Sequence, residues 1–121
     1  MTTKEKLYGD VVKDKVYFIK QFDYLGLNKS YTGYFMLIDT VCLLMEIDKR
    51  IISFSKEIYP IVANKFNKTS CTVERNIRNL IDKCWSQKLI EKLNLNLKVE
   101  EKPVCRELIN IIKNYLINTL T

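Results

Sequence analysis

The chain has 121 residues, 47% apolar and 28% charged, with 20 Lys+Arg against 14 Asp+Glu and no histidine. That size and apolar share suit one folded domain and exclude a disordered chain. Without histidine the commonest neutral-pH base and zinc ligand are missing, and only 3 Gly and 2 Pro argue against turn-rich β folds.

Residues 11–24 carry apolar side chains at 11, 12, 16, 17, 19, 22 and 24, which predicts a first helix. Gly26 is its expected C-cap, within a turn over 26–30. A second helix is expected over 31–47. There Tyr34, Phe35, Leu37, Ile38, Val41, Leu44 and Met45 form a broad apolar arc, so this helix should be central. Residues 51–54 suggest a short helical turn. A third helix follows over 59–66, with Pro60 in its first turn and Ile61, Val62 and Phe66 as its buried side. Residues 67–69 break the chain, and a fourth helix is expected over 70–85, N-capped by Thr69 or Ser70. Across 88–103, a short helical turn near 89–93 leads into an extended segment in which Leu93, Leu95, Leu97 and Val99 alternate with polar residues. A last helix over 104–120 buries Leu108, Ile109, Ile111, Ile112, Tyr115, Leu116 and Leu120. The class is therefore all-α, a compact bundle of about five or six helices forming a single domain over residues 1–121.

Catalytic equipment is not legible. Cys42, Cys71, Cys84 and Cys105 are 29, 13 and 21 residues apart with no CxxC, and read as reduced thiols. Gly9, Gly26 and Gly33 stand alone, so no phosphate loop exists. The Glu100-Glu101 pair lies in a charged stretch where a raised pKa is hard to maintain. The reading is non-enzymatic, with no catalytic residue, cofactor or metal. No apolar run approaches the roughly 18 residues that span a bilayer, and Lys4, Glu5, Lys6 and Asp10 interrupt any signal-peptide core. A cytoplasmic protein without a membrane partner is expected.

The charge is one-sided. Residues 1–60 hold 9 basic and 8 acidic side chains, whereas residues 61–121 hold 11 and 6. A basic half favours a polyanion partner. Only 4 of the 20 basic residues are arginine, and two of them, Arg75 and Arg78, fall in the fourth helix.

Residues 61–85 read IVANKFNKTSCTVERNIRNLIDKCW. A helix–turn–helix needs a small residue where the helices touch, a break of about three residues and a second helix with an apolar inner face. Ala63 supplies the first, Asn67 sits where left-handed geometry is wanted, and Val73 is the first inward anchor. At about 100° per residue, Val73, Ile77, Leu80, Ile81 and Cys84 cluster on one side with Trp85 at the border. Thr72, Arg75, Asn79 and Asp82 lie opposite, with Arg78 and Glu74 expected on two flanking shoulders. Arg suits guanine edges, Glu can accept from cytosine, Asn can pair with adenine, and marginal cations can hold phosphates. A solvated amphipathic helix with a Glu74–Arg78 pair is the competing reading. Tyr59, Phe66 and Trp85 read as core rather than as stacking platforms for single strands.

The string YPIVANKFNKTSCTVERNIRNLIDKCWS (59–86) closely resembles the DNA-binding effector-domain family of stage-zero sporulation protein A, the response regulator that starts endospore formation. The resemblance extends upstream through LGLNKSYTGYFMLIDTV (25–41) and downstream to KPVCRELI (102–109), covering residues 11–116. It implies a bundle of about six helices that binds short double-stranded promoter boxes and regulates transcription, often as tandem copies. Carried over, Glu74 and Arg75 read bases, Arg78 contacts DNA including phosphate, and Lys68, Thr69 and Ser70 approach the backbone. With Asn79 as a base reader and Thr72 flanking, these are the candidate site residues. A monomer in solution and a tandem dimer on DNA are expected.

Departures from the family pattern stand at Thr72, where the family has a basic residue, at Asn79 for a histidine, and at Gln87 for a basic residue. They imply fewer cationic contacts and a different box. Residues 88–101 are shorter than the family's counterpart, which helps contact the RNA polymerase sigma subunit. The phosphoacceptor receiver domain of the family is expected to be absent. That absence, with the loss of basic contacts, motivates an alternative, a protein-interaction module or antagonist that docks on a sporulation regulator or on polymerase.

Overall fold

The computed structural model describes residues 15–46 and 53–120. Helix α1 occupies residues 15–25 of the described chain; positions 11–14 of the expected helix lie outside it. Its buried residues Phe18, Phe22 and Leu25 recur at helical spacing. Gly26, at φ 85°, ends it, and Leu27 N–H donates to the Phe22 carbonyl at 2.9 Å. That is the left-handed C-cap expected of this glycine.

Helix α2, Gly33–Glu46, is the central element and packs against later helices on several sides. Tyr34, Leu37, Ile38, Val41 and Leu44 are buried as expected. Phe35 is not: it is 49% exposed, because it points about 200° away from Gly33, the side that meets the bundle. The helix also starts two residues later than expected, leaving Tyr31 in the preceding turn, and position 47 lies outside the described residues. Thr40 is fully buried and donates its hydroxyl to the Met36 carbonyl at 2.7 Å, so its polarity is satisfied within the helix.

Residues 51 and 52 of the expected short turn lie outside the described residues. A π-helical turn, Phe54–Ile58, capped by Ser53, runs directly into α3, Tyr59–Phe66. The buried side of α3 is Tyr59, Val62 and Ala63, with Phe66 half-buried. Ile61 is 53% exposed, against expectation, because it falls outside the i, i+3, i+4, i+7 stripe that those four residues form.

Helix α4, Ser70–Cys84, buries Val73, Ile77, Leu80 and Ile81. It ends one residue short of the expected limit: Trp85 is already extended, and its indole N–H donates to the Val99 carbonyl at 2.7 Å. Helix α5, Gln87–Lys92, is capped by Ser86. Residues 95–98 are irregular, with Leu95 and Leu97 half-buried and Asn96 and Lys98 exposed, so the alternation describes an extended segment lying on the core. A 3-10 turn, Val99–Glu101, which sequence reasoning did not anticipate, follows it. Helix α6, Cys105–Leu120, buries Leu108, Ile109, Ile112 and Leu116. Val104 is its N-cap rather than its first turn, since its carbonyl accepts from Leu108 N–H at 3.1 Å.

Every regular element among the described residues is thus helical, with no strand, and one contiguous apolar core joins α1 to α6. Edge-to-face rings tie α1 to α2 (Phe22–Tyr34, centroids 5.5 Å apart), and the Tyr115 hydroxyl donates to Gln21 to tie α6 to α1. No helix among the described residues is long and apolar enough to cross a membrane.

Candidate nucleic-acid interface

The α3–α4 pair is joined by the short turn the sequence predicts. Asn67 takes φ 55° and ψ 46°, and Lys68 N–H donates to the Ala63 carbonyl at 2.9 Å. Asparagine tolerates this left-handed geometry better than most side chains. Thr69, not Ser70, is the N-cap of α4; its hydroxyl accepts from Thr72 N–H at 3.1 Å. These local bonds fix the direction in which α4 leaves the turn.

Tertiary packing fixes its rotation. Val73, Ile77 and Leu80 are fully buried, and α2 crosses α4 at Gly33, where backbone meets backbone. A Cβ on Gly33 would lie 2.6 Å from the Asn76 carbonyl carbon and 2.9 Å from Ile77 N. Asn76 also donates its side-chain amide to Met36 Sδ at 3.7 Å. With that side of α4 sealed, the opposite side faces outward.

Arg75, Arg78, Asn79, Lys68 and Thr69 are exposed, and Ser70, Thr72 and Glu74 are partly exposed. Arg75 has no ion-pair partner among the described residues. Thr72 turns back towards the turn, with its hydroxyl 2.9 Å from that of Thr69. One expectation is corrected here: Glu74 and Arg78 do not occupy two shoulders. They share one, since residues four apart differ by about 40° around a helix, and Arg78 Nη1 donates to both Glu74 carboxylate oxygens at 2.9 Å. The pair the competing reading required is therefore formed, and Glu74 presents its charge to solvent already paired.

Beneath Glu74, the N-terminal turn of α6 brings in Cys105. Burial, with the Glu74 charge second, pushes its thiol up from 9.0 to about 11, so it is protonated at neutral pH. Burial also raises Tyr59, with the neighbouring Cys105 thiol as the next cause.

Two ionic contacts, one on this face and one away from it, escaped sequence reasoning. Asp82, on the outward stripe, is ion-paired with Lys102 from the loop before α6. Asp39 of α2 accepts from both Lys15 and Lys65 at 3.0 Å, clamping the end of α3. Neither pair has a local sequence signal, because the partners lie outside one helical turn of each other. No group of three His, Cys, Asp or Glu among the described residues could hold a metal ion.

No solved structure matches the chain. The family described as "Sporulation initiation factor Spo0A C terminal" matches residues 18–116, which take in α2 to α5 whole and most of α1 and α6. The chain therefore belongs to this family of helical, non-catalytic DNA-binding domains of transcription regulators.

Proposed function

We propose that the chain is a sequence-specific regulator that binds double-stranded DNA with α4 lying in the major groove. The observation that carries this reading is the outward stripe of α4, led by exposed Arg75 and Asn79 directly after a left-handed turn, in a member of a DNA-binding family. An α-helix fits the major groove, whose base edges carry a distinct donor and acceptor code. Arg75 would donate to a guanine, Asn79 would pair with an adenine, and Glu74 would accept from a cytosine while held by Arg78. Lys68, Thr69, Ser70, Thr72 and Arg78 would line the flanking sugar–phosphate backbone, which sets position rather than sequence.

We further infer that residues 1–121 act as one DNA-binding domain in the cytoplasm, monomeric in solution and paired in tandem on DNA. Contact with the polymerase sigma subunit is part of the same proposal, supported by family membership. The test begins with selection of bound fragments from a random duplex pool. Binding to the selected duplex and to a scrambled one is then titrated across salt. Preference for the selected duplex is the expected result; equal affinity at every salt concentration would defeat the reading.

A further inference from the structure

Asp82 is anomalous on a surface meant for DNA. It follows Arg75 by seven residues, so it lies about 20° from it around α4 and about 10 Å further along the axis. A bare carboxylate there would face phosphates as the helix docked, and like charges repel. Asp82 is not bare: the Lys102 ammonium is paired with it, from 20 residues further along the chain. Both side chains stay accessible, at 35% exposure for Lys102 and 41% for Asp82.

The loop that delivers Lys102 is held by bonds independent of this ion pair. Trp85 donates to the Val99 carbonyl at 2.7 Å, and Lys98 N–H donates to Glu101 at 2.8 Å. Pro103 then restricts the backbone ahead of α6. A cleft of about 390 Å³ separates the Glu74–Arg78 shoulder of α4 from this loop, so Lys102 stands beside the helix rather than packed into it. A cation held in place before binding loses little side-chain freedom when it meets an anion.

We propose that Lys102 contacts a DNA phosphate, and that the Asp82–Lys102 pair carries the DNA interface from α4 onto the loop before α6. The inference rests on the major-groove reading of α4. The loop's own bonds place Lys102 beside α4, and its ammonium cancels the carboxylate that would otherwise oppose docking.

A tether that only fixed the loop would make different predictions. Removing either partner would break the same bridge, and both variants would bind DNA alike. A phosphate contact gives them opposite signs. Lys102→Ala should weaken binding to a pool-selected duplex about tenfold and lower the magnitude of the salt slope by about 0.9. Asp82→Asn should bind as tightly as the parent chain or up to about threefold tighter, since it removes only repulsion. Lys102→Arg should match the parent.

The emission of Trp85, the only tryptophan, reports whether the loop has moved. If it shifts in Lys102→Ala, Asp82→Asn decides alone: equal or tighter binding supports the contact, and weaker binding overturns it. Equal weakening of both variants, or an unchanged affinity and salt slope in Lys102→Ala, overturns the proposal while the parent chain still prefers its selected duplex. A parent chain that binds selected and scrambled duplexes alike removes the underlying reading instead.

Discussion

Gly33 of α2 and Asn76 of α4 meet backbone to backbone, and no side chain fits between them. The contact lets the central helix cross close to the middle of α4 and seals the flank of α4 opposite Arg75. Gly33→Ala therefore puts a methyl group against a carbonyl that cannot rotate away, because it belongs to a hydrogen-bonded helix. Overpacking of this kind costs about 1–3 kcal/mol, and the upper end is expected because both surfaces are backbone. Gly26→Ala is the control: it has open space around it but φ 85°, so it should cost about 1 kcal/mol through strain alone. Urea unfolding measures both; a Gly33→Ala chain as stable as the parent would mean the two helices are not in contact there.

Arg75 and Lys68 should fail in different ways. Arg75→Ala is expected to cost about 1–3 kcal/mol on a selected duplex and to relax preference at one base pair. Lys68→Ala should weaken selected and scrambled duplexes equally and reduce the salt slope by about one. Titrations on both duplexes at several salt concentrations separate the two effects, and matching losses from the two variants would deny Arg75 a reading role.

Glu74 neutralises Arg78 in the unbound chain. Replacing it by Gln releases the guanidinium, so affinity for scrambled DNA should rise while discrimination falls. Stability should change by no more than about 0.5 kcal/mol, the usual worth of an exposed i, i+4 pair. Competition binding and thermal melting test the two halves; a fall in scrambled-duplex affinity would contradict this account.

Stability should decline at alkaline pH. The folded chain holds the Cys105 proton with a pKa of about 11 instead of 9.0, chiefly because burial disfavours the thiolate. Tyr59 is raised in the same sense and by the same main cause. A raised folded pKa gives stability that is complete below about pH 9 and lost as pH climbs through about 11. The thiol is only partly buried, so its share is of order 1 kcal/mol after screening. Cys105→Ser should flatten the profile between those limits, and an equally steep profile in that variant would rule the thiol out.

Much of the geometry of the candidate interface is legible in the sequence because its signals are local. Asn67 in a left-handed turn, Thr69 as a cap and the Val73–Ile77–Leu80 stripe each depend on neighbours within a turn or two of helix. Phe35 and Ile61 are exposed, against the apolar pattern, for a related reason. Hydrophobicity nominates a residue for burial, but only the direction of neighbouring helices decides which apolar positions find a partner. Glu74 and Arg78 share one shoulder by helical angle alone, since residues four apart differ by about 40°.

By itself, then, the amino-acid order determined a helical chain, the turn between α3 and α4 and the inner face of α4, since a repeat of 3.6 residues is written along the backbone. Tertiary structure decided which polar groups on the outer face are already engaged, and where α2 may cross. Asp82 meets Lys102, Asp39 meets Lys65, and Gly33 meets Asn76 only after the chain folds back on itself. Such pairs depend on the packing of whole helices, and no periodicity within either partner's own segment encodes them.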